Sequence, residues 1–97
     1  MHRLLFVLLA LGGCGGGLPV ATPADAARAN VALADLQSGR SLVMSKCSAC
    51  HAPPFPDAHT GAAWPRSIEQ MSARSHLDAE QHRLIETYLV AMTGRRP

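Results

Sequence analysis

The sequence predicts an all-α fold, a small domain of about three helices, and three observations predict it. Apolar residues recur at i, i+4 and i+7 or i+8 over much of the second half of the chain, the period of a helix face rather than the alternation of a strand. One helix start is written out as a capping box, Asp78 followed three residues later by Gln81. No βαβ pattern occurs anywhere. Ninety-seven residues make one small domain at most. The chain has four aromatic residues, Phe6, Phe55, Trp64 and Tyr88, which is few for a core of its own. A domain so poorly supplied calls for a staple: a disulfide, a metal or a cofactor.

The first helix is expected from about Ala34 or Ser38 to Ala49, because Gly39, Val43 and Cys47 fall at i, i+4 and i+8 on one face. Pro53, Pro54 and Pro56 then exclude helix and predict a loop over Ala52–Asp57. A second helix is expected from about Thr60, as cap, to Ala73. It tolerates Pro65 in its first turn and lines up Trp64, Ile68 and Met71. The last helix starts at the Asp78 capping box, with Leu77 as a hydrophobic staple, and ends before Gly94. Leu84, Ile85, Tyr88, Leu89 and Met92 form its buried stripe, while Glu80, Arg83 and Glu86 face water.

Ahead of these helices stands an export signal. Met1-His2-Arg3 is a short positive region, and Leu4–Leu11 is an apolar run, too short for the roughly 20 residues that span a bilayer. It ends in Leu11-Gly12-Gly13-Cys14, which resembles the bacterial lipobox. The resemblance implies cleavage before Cys14, a diacylglyceryl thioether on its sulfur and an acyl chain on its amine, enough to anchor stably where one chain is marginal. Gly15 follows where an inner-membrane retention signal places aspartate, so the outer membrane is the preferred destination. An ordinary signal peptide, cut after Ala21 or Ala27, is the alternative. The layout is then residues 1–13 as signal peptide, 14–36 as a lipid-anchored flexible tether rich in Gly, Ala and Pro, and 37–97 as the folded domain. The alternative for the tether is that alanine-rich Ala24–Leu36 partly extends the first helix. A random-coil leash of about 20 residues spans roughly 25 Å, so the domain would swing.

The chemistry is concentrated in Cys47-Ser48-Ala49-Cys50-His51. Cys-x-x-Cys-His is the attachment signature of c-type haem. Two thiols three positions apart reach the two vinyl groups of one porphyrin, and the next histidine lies beneath the iron as proximal ligand. The three cysteines are thereby all accounted for, Cys14 by lipid and Cys47 and Cys50 by haem. Together with Gly39, Val43 and Tyr88, the pentapeptide resembles the class I cytochrome c family. That resemblance covers about Ser38 to Thr93. It implies that Gly39 lets the C-terminal helix cross closely and that Tyr88 packs there.

The distal ligand sets the behaviour of the iron: a Met sulfur raises the potential, a second His lowers it, an open site admits gases. In the family a Met preceding the last helix serves, and Met71 holds that place. Only 20 positions separate it from His51, a shorter interval than the family usually shows, so a stripped-down domain is implied. His59, His76 or no distal ligand are the alternatives. Trp64 is open between a place at the haem edge and an ordinary core position. The proximal ring of His51 needs a carbonyl acceptor, which Pro53 or Pro54 could supply.

The expected function is one-electron transfer with redox partner proteins in the bacterial periplasm, by a carrier and not an enzyme. The alternative is a haem-based ligand-binding or sensor protein. No small-molecule substrate is indicated. A net charge of +2, falling to about +1 when Arg3 is cleaved away, gives no nucleic-acid footprint. A zinc site using Cys47 and Cys50 with two histidines, and a thioredoxin-like redox pair, are the weaker readings of the same cysteines.

Overall fold

The computed structural model describes residues 17–47 and 53–94. The chain is all-α, and among the described residues it forms four α-helices and no strand. These are α1 (Pro23–Ala29), α2 (Leu33–Leu42), α3 (Trp64–Ser72) and α4 (Ala79–Met92). A π-helical turn, Val43–Cys47, carries α2 onward, and a 3₁₀ turn, Pro56–Ala58, precedes α3. Among the described residues, no helix is long and apolar enough to cross a membrane.

The core is built where α2 and α4 cross. Leu36, Val43, Trp64, Ile68, Ile85, Tyr88, Leu89 and Met92 are all essentially excluded from solvent. Burying a large aliphatic or aromatic side chain contributes about 1.5–3 kcal/mol, so these eight supply most of the driving force. Gly39 sits at the crossing. A Cβ placed on it would lie 2.2 Å from the Leu84 carbonyl oxygen and 2.6 Å from Tyr88 Cβ. Only a residue with no side chain lets the two backbones approach this closely. The packing of α4 and Tyr88 against Gly39 thus follows the expectation.

Helix α4 also starts and stops as expected. The Asp78 carboxylate accepts the Gln81 amide at 2.7 Å, and the Gln81 side chain returns to the Asp78 amide at 3.1 Å. Gly94, just beyond the helix, takes the left-handed φ of 78°. Arg83 is held by Glu80 on its own helix and by Asp35 of α2 at 3.2 Å. Helix α3 begins later than expected. It starts at Trp64 with Ala63 as an uncapped first residue, and Thr60 contributes its carbonyl to the Ala63 amide instead of a capping side chain. The proline loop also departs from expectation, since Pro56 opens a turn of 3₁₀ helix, a position where its missing N–H costs nothing.

The largest departure concerns the tether. Within 17–36, the segment read as a coil forms α1 and the start of α2, and this accounts for the fourth helix. Thr22 caps α1 with a reciprocal bond to Asp25, Pro23 opens it, and Asn30 closes it in the left-handed conformation. The segment is bound to the core. Leu18, Ala21, Asp25 and Ala26 are buried. The Tyr88 hydroxyl donates to the Pro19 carbonyl at 2.6 Å, Arg40 Nε to the Leu18 carbonyl at 3.1 Å, and Arg28 to the Ala91 carbonyl at 3.0 Å. The Asp25 carboxylate, itself buried, receives the Thr22 amide, the Thr22 hydroxyl and Arg28 within 2.9 Å. Apolar periodicity missed this segment because polar side chains bonded to backbone carbonyls do much of the fastening.

Candidate functional site

Cys47 closes the π-helical turn and is the one residue of the pentapeptide among those described; Cys50 and His51 lie outside them, as does Cys14. A π-helical turn widens the helix by one residue per hydrogen-bonded ring. Here it comes at the end of α2, so the face begun by Leu36 and Gly39 continues through Val43 into Cys47. All four of these residues are buried. Cys47 is 7% exposed and belongs to the same cluster as Trp64, Ile68 and Tyr88.

Burial pushes the Cys47 thiol up from its ordinary value, since desolvation disfavours the thiolate. The neutral thiol is the form compatible with such an apolar setting. Among the described residues, which leave out Cys50 and His51, no three His, Cys, Asp or Glu side chains are grouped to hold a metal ion.

The raised value has a measurable consequence. In haem-free chain the unfolded state releases the Cys47 proton first as pH rises, so it binds fewer protons than the native state and stability falls. Urea unfolding of haem-free protein is expected to show this loss through the alkaline range above the ordinary thiol value, and Cys47→Ala is expected to remove it. An identical alkaline slope in both would contradict the assignment.

The distal candidates are dispersed. Met71 lies half-buried on α3, on the face that carries the buried Trp64 and Ile68. His59 is exposed; its ring meets Trp64 edge-on with centroids 4.7 Å apart, and its Nε2 lies 3.4 Å from the Ser67 hydroxyl. His76 is exposed in the turn between α3 and α4, in a left-handed conformation at φ 54°. Met92 is fully buried, as a core residue should be. His82 is partly buried and faces Glu86 at 3.5 Å.

Trp64 lies in the apolar cluster. It is fully buried, and its indole N–H donates to the Pro56 carbonyl at 2.8 Å, so that donor is already used. Through this bond α3 holds the loop that follows the pentapeptide. The Gly94 amide adds a second tie, donating to Asp57 at 2.6 Å. Neither was apparent from apolar spacing, because both partners on the loop side are polar atoms.

Comparison with protein families, with characterised proteins and with solved structures found no match to this chain.

Proposed function

We propose that the chain is a monohaem c-type cytochrome, an electron carrier held at the periplasmic side of a bacterial membrane by lipid on Cys14. The observation that carries this reading is the placement of Cys47. The first cysteine of a Cys-x-x-Cys-His run ends a helix whose Gly39 is in close contact with α4 at Tyr88, and its thiol is buried in apolar surroundings. Cys47 and Cys50 would hold the porphyrin by thioethers and His51 would bind its iron, with Met71 the candidate on the other side. A haem bound there supplies a one-electron couple. The chain's part is to keep the attachment helix fixed against α4 and to pin the following loop through Trp64 and Pro56. Met44 and Phe55, both exposed and apolar, flank the pentapeptide in sequence. They provide surface that a docked redox partner protein would cover.

The domain core also favours Cys14 over the alternative processing sites. A cut after Ala21 or Ala27 would remove buried Leu18 and Ala21 and the hydrogen bond that Tyr88 makes to Pro19. A cut before Cys14 leaves all of them in place.

Absorption spectroscopy of chain produced alongside a cytochrome c maturation system tests the reading. Haem that survives acid-acetone extraction from the natural chain, and is lost from a Cys47→Ala, Cys50→Ala double variant, is the expected result. Extraction of all haem from the natural chain would sink it. Met71→Ala is expected to abolish the sulfur-to-iron charge-transfer band and lower the reduction potential. Carbon monoxide binding by the unaltered reduced protein would instead favour a ligand-binding or sensor role.

A further inference from the structure

Because the chain is packed from Leu18 onward and not a leash, we infer that the lipid anchor holds the domain close against the bilayer, with Val20 facing the lipid surface. The inference rests on the proposed lipidation of Cys14. Leu18 is 3% exposed, and its carbonyl is held by Arg40; Pro19 is held by Tyr88. The domain therefore begins at residue 18. However the intervening residues run, the four steps from Cys14 to Leu18 reach no more than about 14 Å. A freely swinging coil of about 20 residues would have a root-mean-square span of roughly 25 Å.

What the short connection brings to the membrane is set by the same bonds. Val20 is 62% exposed, the highest value among the large hydrophobic residues described, yet it lies between held Pro19 and buried Ala21. It cannot turn inward without breaking those contacts. Six positions from the anchor, it is the apolar side chain the lipid surface meets.

The test uses full-length, matured protein in vesicles of phosphatidylethanolamine and phosphatidylglycerol. A nitroxide is introduced through Val20→Cys or, for reference, through Gln70→Cys on the exposed side of α3. Both sites are exposed, so neither label disturbs the core. Intact mass reports the lipid on Cys14. The expected result is a lipidated protein whose label at position 20 collides with membrane-dissolved oxygen, relative to an aqueous nickel chelate, severalfold more than the label at position 70. A Gly-Ser insertion between Gly16 and Gly17 is expected to abolish that difference. Lipidated protein with equal accessibility at both positions overturns the inference and leaves the anchor standing. Protein without lipid at Cys14 overturns both.

Discussion

Gly39→Ala is expected to destabilise the domain by about 3 kcal/mol, the upper end of the ordinary cost of overpacking. Two effects oppose one another at this position. Alanine is favoured over glycine inside a helix by about 1 kcal/mol, and α2 would gain that on its own. Against it stands a methyl group 2.2 Å from the Leu84 carbonyl oxygen and 2.6 Å from Tyr88 Cβ. The first of these atoms is backbone in the middle of α4 and has no rotamer to change. Relief requires the two helices to move apart, and that loosens Leu36, Tyr88 and Leu89 together and draws the Tyr88 hydroxyl away from Pro19. Small domains hold about 5–15 kcal/mol in total, so the crossing penalty wins and removes a large share of the stability. Urea unfolding followed by the fluorescence of Trp64, the only tryptophan, measures it in haem-free protein. A midpoint equal to or above that of the unaltered chain would show that helix propensity dominates and that the crossing is looser than the structure has it.

The period i, i+4, i+8 put Gly39, Val43 and Cys47 on one face, and the resemblance of that face, with Tyr88, to the class I cytochrome c pattern implied the close crossing. The stripe of α4 and its Asp78–Gln81 capping box were readable from local spacing. The N-terminal segment was not, although Thr22-Pro23-Ala24-Asp25 carries its own signal: a capping threonine, proline at the first helical position and an acid at the third. Its abundance of Gly, Ala and Pro suggested coil, while the forces that fasten it are pairwise and polar. Arg28, Arg40 and Tyr88 each reach a backbone carbonyl 22 to 69 residues away along the chain, and no local pattern encodes such partners. Trp64 shows the same limit. Its burial followed from spacing with Ile68, but the choice of Pro56 as acceptor for its indole did not.

That acceptor makes Trp64 the second position of large effect. Trp64→Ala is expected to cost about 4 kcal/mol, as the loss of a fully buried indole usually does. It also leaves the His59 ring without its edge-on neighbour. Trp64→Phe separates packing from hydrogen bonding. The phenyl ring keeps most of the apolar contact and loses the donor. Thr93 is the only other donor near the Pro56 carbonyl among the described residues, at 3.3 Å, but its hydroxyl lies 2.7 Å from the Leu89 carbonyl and has a single proton to give. The shorter bond takes that proton, so Pro56, a buried residue, is left with an unsatisfied oxygen. Such a group costs about 1–3 kcal/mol, and the phenylalanine variant should fall in the lower half of that range. The loss is local to the loop. Amide exchange at Ala58, whose N–H bonds to the Phe55 carbonyl at 2.9 Å, is expected to speed up in Trp64→Phe, while amides in α4 near Ile85 lose protection only as far as global stability falls. If haem is attached as proposed, the same variant should disturb the spectrum of the His51 side more than its stability loss explains, since Pro56 lies five positions after that histidine. Unchanged exchange at Ala58 would mean that the indole bond does not hold the loop, and the link from α3 to the attachment site would have to be abandoned.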